Sequence, residues 1–500
     1  MIDEYEMNEE DYWEQFTEDM GAVSKTELPA IMKAWTDTAT SYSKHNDTPA
    51  QLMYFNLLSA VCKDFVHIPD GDLTDDIRIH LCWIQTSGTG KSTLWRFVGP
   101  ITKSVFKKIN ETGTHPPQLR DAGEIADTFF DVFSLVDYTD AALIGYMDKK
   151  IIRNDEEAEL HGEQIGDAYY ERVSGALEGN GIAHWDEFEY SGIFKESQHK
   201  GNSIVYLNTL MNSITGESWV INKQLKEGGV VNCYCQRTVV AMTYPPRNLQ
   251  EIMATTGVLP RMVMYVHDVP SFVQDKIRRE LISQFGVITE RDEPPTERFA
   301  NNIFEIYNLV KERFVEVGCD PLKTMTYTQD ARDRLLLEYN KMDNHISDSK
   351  KEVKEILDVF ITRLNQNLKK MAVLCSISQA RSIRDKDKRF IVTGKNVEQA
   401  GQIAEKCYIT LVAWLERSLR VRRTSVTEKS MLSTFKTVYV AMEKDEDGFI
   451  SKRDFLSEVK RESKKSQASV YNYFKSIENL FEIEKQGRAV FIKFKGEEKK

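Results

Sequence analysis

The sequence has no apolar run approaching the roughly 20 residues that cross a bilayer, so no membrane partner is expected. Its opening stretch, MIDEYEMNEEDYWEQF, lacks the basic start and apolar middle of an export signal. Cysteine is scarce. The seven that occur, at 62, 82, 233, 235, 319, 375 and 407, form no CxxC pair. That spacing argues against a disulfide scaffold and a zinc ribbon, and it predicts a reducing, cytoplasmic setting. No internal repeat is visible.

What is present is a chain of 500 residues, 41% hydrophobic and 29% charged, long enough for two or three domains. The net charge of −11 excludes a surface that is basic throughout and leaves room for a local basic patch. Charge is unevenly spread. Residues 1–75 hold 16 acidic against 4 basic side chains, and residues 421–500 hold 18 basic against 13 acidic. An acidic head and a basic tail predict different partners at the two ends. Residues 1–48 read as an acidic N-terminal segment, a frayed tail or a docking peptide for a replication protein. The aromatics of its first 20 residues are Tyr5, Tyr12, Trp13 and Phe16.

A helix is predicted over Pro49–Val66, with Leu52, Phe55, Leu58 and Val61 on one face. An acidic turn-rich loop, PDGDLTDD, then precedes a buried strand at Ile77–Ile84. To about residue 272 apolar runs alternate with helical segments, the pattern of an α/β layer fold. Residues 273–420 read as helical, with segments at Glu297–Val317, Gln329–Met342, Lys351–Ser378 and Asn396–Leu419. Arg417–Ser430 reads as a linker.

Between the first strand and a helical stretch lies Gln85-Thr86-Ser87-Gly88-Thr89-Gly90-Lys91-Ser92-Thr93. Glycines let such a loop curl so that backbone N–H groups face phosphate oxygens, and the helix N-terminus adds positive potential. Ser87, Gly88, Thr89, Gly90, Lys91, Ser92 and Thr93 are the expected nucleotide-binding residues, with Lys91 on the β- and γ-phosphates and Ser92 on Mg²⁺. The pattern GxxxxGK[ST] is breached once, because Gln85 holds the place of its first glycine. Gly99-Pro100 predicts a short or kinked helix after the loop.

A second apolar run, Ile182–Trp185, ends in Asp186 and Glu187. At a strand's end Asp186 would hold Mg²⁺, and Glu187 would orient and deprotonate the attacking water. His184 reads as a packing residue. A later strand, Arg237–Met242, ends at Thr243, the candidate contact for the γ-phosphate or the lytic water. Arg261, in Leu259-Pro260-Arg261, is the candidate finger for a neighbouring subunit's site, with Arg237 and Arg247 as alternatives. Arg363 lies near the start of a helical run, Thr362–Leu368.

Taken in order, these parts resemble an AAA+ ATPase, and within that class the minichromosome-maintenance helicases and related ATPases of plasmids and viruses. The resemblance covers about residues 50–410. It implies a P-loop AAA+ core over 49–272 and a helical lid over 273–420. It also implies ATP and Mg²⁺ as cofactors and a homo-oligomeric ring, a hexamer in expectation, working on single-stranded or forked DNA. Arg363 takes the place of the second sensor, and Thr243 stands where the family's sensor is usually Asn. A hairpin at Trp219–Val231 would project into the channel with Lys223 and Lys226 near its tip, opposite DNA phosphates. The family's large N-terminal DNA-binding domain has no room in the residues before the loop.

Residues 421–500 read as a winged helix. Helices at Met431–Met442, Lys452–Lys464 and Gln467–Phe481 frame a short strand at 448–451, and a wing hairpin spans Phe481–Phe494. Lys475 and Arg488 are the candidate DNA contacts there. Glu443–Asp454 partly mimics a calcium loop, with poor residues at its first and twelfth positions. The leading expectation is an ATP-dependent DNA helicase or translocase in viral or plasmid replication. The alternatives are a replication initiator or helicase loader, and a regulatory ATPase with a DNA-binding winged helix.

Overall fold

The computed structural model describes residues 20–112 except 24, 44 and 45; 129–135; and 139–188 except 155, 157–158 and 160–163. It also describes 202–245 except 216–219 and 225–229; 257–267; 295–423 except 349–350 and 380–388; 434–495 with short interruptions; and isolated positions at 253, 274 and 279. The chain divides into two compact units, Met1–Leu415 and Glu416–Lys500.

The first unit opens with helices α1 (Ala30–Tyr42) and α2 (Asp47–Cys62) and a small hairpin of β1 (His67–Asp70) and β2 (Leu73–Asp76). The expected acidic loop is thus this hairpin, turned at Gly71 with φ of +65°. Helix α2 starts two residues before Pro49 and ends at Cys62. Every residue from Thr48 to Cys62 is buried, so α2 has no wet face and runs through the core, across β-strands on one side and helices on the other.

Strand β3 (Leu81–Gln85) starts later than the predicted Ile77 because Arg78 occupies the approach. Its guanidinium is buried against Asp76, with Nε at 3.0 Å from the carboxylate, and it donates to the carbonyls of Leu210 and Arg237. Against the cost of burial, the Arg78 charge holds the Asp76 carboxyl well below the usual carboxylate range.

Four more strands complete a sheet: β4 (Phe130–Leu135), β7 (Asn180–Trp185), β10 (Thr238–Thr243) and β11 (Val263–His267). The order is β11-β3-β10-β7-β4, and every neighbouring pair is parallel. β3, β7 and β10 are buried at every position, as expected of parallel strands covered on both faces.

Helix α3 (Lys91–Glu111) follows β3 and runs unbroken for 21 residues through Pro100. The break predicted at Gly99-Pro100 does not occur. Phe97, Val98, Ile101, Val105, Phe106 and Ile109 are buried along α3, and six buried side chains outweigh the roughly 3 kcal/mol of an internal proline.

Between β4 and β7 stand α4 (Asp140–Ile144) and an antiparallel hairpin of β5 (Gly145–Ile151) and β6 (Ala168–Ser174). Between β7 and β10 stand α5 (Ser203–Leu210) and a second hairpin, β8 (Val220–Gln224) with β9 (Val230–Tyr234). The two hairpins touch through β5 and β9.

The rest of the first unit is helical: α6 (Thr296–Glu316), α7 (Gln329–Asp348), α8 (Lys351–Ser378) and most of α9 (Gly394–Arg423). Short strands β12 (Met325–Tyr327) and β13 (Phe390–Val392) pair in parallel among them. Helix α9 continues through the first half of the expected linker, to Arg423. One core joins these helices to the sheet, from Trp35 and Phe55 through Val240 to Leu374 and Ile403. Six cysteines are buried, and Cys319, at φ of +60°, is exposed.

In the second unit α10 (Lys452–Ser463) and α11 (Gln467–Ser476) pack on a three-stranded antiparallel sheet. Its strands are β14 (Ile450–Ser451), β15 (Phe481–Gln486) and β16 (Ala489–Phe494), in the order β14-β16-β15. Phe435, Tyr439, Phe455, Phe474 and Phe481 build its separate core. Helix α11 stops at Ser476, five residues short of the predicted end, and a 3₁₀ turn at Glu478–Leu480 leads into β15.

No helix among the described residues is long and apolar enough to cross a membrane. No cluster of three or more His, Cys, Asp or Glu side chains is placed to hold a metal among the described residues. In the calcium-like stretch, Asp445 instead closes a turn, accepting from the Phe449 N–H at 2.7 Å.

Candidate functional site

Parallel strands present their C-terminal ends together, and loops leaving them form a crevice there. β3, β10 and β7 are consecutive in the sheet, with Thr243 opposite Ile84 and Ala241 opposite Trp185. The residues just beyond therefore meet. A cleft of about 410 Å³ is lined by Ser87, Gly88, Gly90, Lys91, Ser92 and Thr93 from the loop after β3. Asp186 and Glu187 after β7, and Met242, Thr243 and Tyr244 at the end of β10, complete it.

The loop is shaped by Gly88 and Gly90, at φ of +77° and +96°, values that a side chain would strain. Lys91, the first residue of α3, folds its ammonium back onto the carbonyls of Gln85 and, at 3.2 Å, of Thr86. The N-terminus of α3, with Ser92 and Thr93 exposed on it, borders the cleft, so the positive end of the helix dipole lies there. Across from it Glu187 is exposed at φ of +61°, a conformation rare for a residue with a side chain. Backbone strain of that kind, on the order of 1–3 kcal/mol, is held where a side chain must be aimed.

Thr89 departs from its expected role. It is buried, and its hydroxyl donates to the Thr86 carbonyl at 2.5 Å and accepts from Gln85 Nε2 at 2.8 Å, facing away from the cleft. His184, two residues before Asp186, stacks face to face on Trp95 of α3 at 3.8 Å between ring centres. Burial holds its pKa down at about 3. It is a neutral packing residue, as its sequence context suggested.

The chain matches no protein-family model. No curated protein resembles it.

The two candidate arginines do not line the cleft. Arg261 donates to Asn208 Oδ1 at 3.0 Å and to the Gly257 carbonyl at 2.6 Å. Burial and the nearby positive charge of Arg363 both lower its pKa. Arg363 donates to Gln366 Oε1 at 2.9 Å, and among the described residues neither arginine forms an ion pair. Arg237 is excluded as a finger: it is buried, paired with Asp131 and bonded to the carbonyls of Glu178 and Asn180. Arg247, Lys226 and Arg488 lie outside the described residues.

Lys223 is half-buried on β8, opposite Val231, with its ammonium 5.9 Å above the Tyr206 ring. Lys475 is exposed on α11.

Sequence reading missed the polar side chains behind the loop, Ser43, Asn46 and Gln85. The one available signal was Gln85, since a large amide in a glycine's place needs partners of its own.

Proposed function

We propose that this chain is a P-loop ATPase of the AAA+ class, working as an oligomeric DNA helicase or translocase of the minichromosome-maintenance type. The observation that carries the ATPase reading is the single cleft shared by the Ser87–Thr93 loop, Asp186, Glu187 and Thr243 from three adjacent parallel strands. A triphosphate would lie along the loop, with Lys91 exchanging its contacts to the loop carbonyls for phosphate oxygens. Ser92 and Asp186 face the same cavity and offer the hard oxygen donors that Mg²⁺ takes, which would neutralise phosphate charge there. Glu187 would orient and deprotonate the attacking water, and the Thr243 hydroxyl at the neighbouring strand end would steady it.

Three further observations support the finer reading. Arg261 and Arg363 sit side by side outside the cleft, a doubled positive charge suited to a neighbouring subunit's phosphates. The β8–β9 hairpin lies where the resemblance places a DNA-tracking hairpin. In the second unit β14, α10, α11 and the β15–β16 hairpin follow one another, an order that supports the winged-helix reading, and Lys475 is exposed on α11.

The ATPase reading is tested by phosphate release and nucleotide binding in two variants. Lys91→Ala should lose both, whereas Glu187→Gln should still bind ATP while turnover falls by about 10² or more. Wild-type turnover in both variants would overturn the assignment.

A further inference from the structure

The residue that breaks the phosphate-loop motif is the centre of a buried polar chain. Gln85 is buried, and its amide oxygen accepts from Trp83 Nε1 at 2.7 Å. Its amide nitrogen donates to Thr89 Oγ1 at 2.8 Å and to Asn46 Oδ1 at 3.0 Å. Asn46, fully buried at the corner between α1 and α2, carries the chain onward. Its Nδ2 donates to the Thr89 carbonyl at 3.0 Å and to Ser43 Oγ at 2.7 Å. Ser43 Oγ then donates to the Gly90 carbonyl at 2.9 Å. The corner and the loop are in close contact: a Cβ on Gly90 would fall 2.5 Å from Ser43 Oγ.

The geometry of the peptide bond gives this chain a consequence. In a planar trans peptide the C=O of one residue and the N–H of the next point in opposite directions. Drawing the Thr89 carbonyl back to Asn46 therefore turns the Gly90 N–H forward. The Gly90 carbonyl, which accepts from the Leu94 N–H as well as from Ser43 Oγ, both at 2.9 Å, is held in the same way and turns the Lys91 N–H forward. These are two N–H groups of the loop that faces the cleft, and a phosphate cradle depends on their direction. The corner is itself secured, since Asp47, next to Asn46, pairs with Lys406 of α9 at 3.0 Å.

We propose that Asn46, assisted by Ser43 and Gln85, is a positioning residue that aims the Gly90 and Lys91 N–H groups at nucleotide phosphates and so sets nucleotide affinity. This rests on the nucleotide reading of the cleft. It assigns to the α1–α2 corner the loop-shaping role that the motif's first glycine leaves open.

The test uses the full chain with Mg²⁺ and a fluorescent ADP, alongside steady-state ATP hydrolysis. Asn46→Ala should raise the ADP Kd and the ATP KM about tenfold with kcat within about twofold, because ground-state and transition-state binding are lost together. Asn46→Asp keeps the acceptor for Gln85 but sets an oxygen against the Thr89 carbonyl, and it should match Asn46→Ala. Ser43→Ala, which removes the bonds to the Gly90 carbonyl and from Asn46 Nδ2 but leaves Asn46 on the Thr89 carbonyl, should raise Kd about threefold and carries the test if the Asn46 variants do not fold.

Asn56→Ala is the control for general loosening. Asn56 is also buried in α2, but it bonds the Ile79 and Val239 carbonyls, so this variant should lower the melting temperature without moving Kd. Wild-type Kd in Asn46→Ala and Ser43→Ala, or an equal rise in Asn56→Ala, overturns the proposal. If wild-type protein binds no nucleotide, the reading beneath it falls and takes the proposal with it. Binding by wild type and its loss in Lys91→Ala would leave that reading standing whatever the Asn46 variants do.

Discussion

His184 is held neutral against Trp95, and that gives it a share in how the protein responds to acid. An unfolded chain protonates this histidine near pH 6.5, while the folded protein refuses the proton until about pH 3. The unfolded state therefore binds more protons throughout that window, and stability is fully present above pH 6.5 and lost as pH falls. Burial lowers His67 and His80 in the same direction. Each such group contributes up to about 1.4 kcal/mol per pH unit below 6.5. His184→Phe keeps a ring for Trp95 and removes the proton site, so its urea midpoint should fall less steeply than wild type between pH 6.5 and 4.5. An unchanged slope would show that His184 is not one of the groups responsible.

The same scale shows what a sequence can reveal. The loop around Lys91 and the pair Asp186-Glu187 were legible because each is a short pattern whose chemistry lies in adjacent residues. The partnership of Asn46 with Thr89 spans 43 positions, and that of Ser43 with Gly90 spans 47. No local pattern encodes such a meeting. It arises only when α2 is buried under the sheet and delivers its N-terminal corner to the loop.

Among the elements, amphipathic helices and buried strands were readable from periodicity, and Lys351–Ser378 agrees in full. Those that failed did so for tertiary reasons. α3 passes through Pro100 because its buried face dominates, and β3 starts late because Arg78 is anchored ahead of it. The β5–β6 hairpin was not anticipated at all. Its residues are mostly exposed on both faces, so no alternation of apolar and polar residues marks it.

The other hairpin, β8–β9, carries a prediction. Lys223 does not line the candidate cleft, so replacing it together with Lys226 by Ala should leave basal ATP hydrolysis unchanged. It should abolish stimulation by single-stranded DNA and reduce the salt slope of DNA binding by about 2, uniformly across sequences. Fork unwinding at the wild-type rate in that variant would remove the hairpin from any grip on DNA.

At the scale of the molecule, the candidate cleft and the basic tail belong to different compact units. Every residue lining the cleft lies in the first, and the second has its own aromatic core. A chain ending at Arg423, which keeps α9 whole, should hydrolyse ATP within about twofold of the full protein, since it removes no group that touches substrate. The fragment 424–500 should unfold cooperatively by itself, as followed by circular dichroism, although a core of that size is marginal. A truncated protein without ATPase activity would mean that the second unit completes the site.

The distribution of sulfur gives the folded protein a built-in reporter. Cys319 alone offers its thiol to solvent, and burial pushes Cys82 and Cys407 up to about 12, so they are shielded both by packing and by lack of thiolate. Alkylation of the native protein consequently marks one position. Each additional label then records an opening of the interior, at Cys62 or Cys375 for the central helices α2 and α8, and at Cys233 or Cys235 for the root of the β8–β9 hairpin.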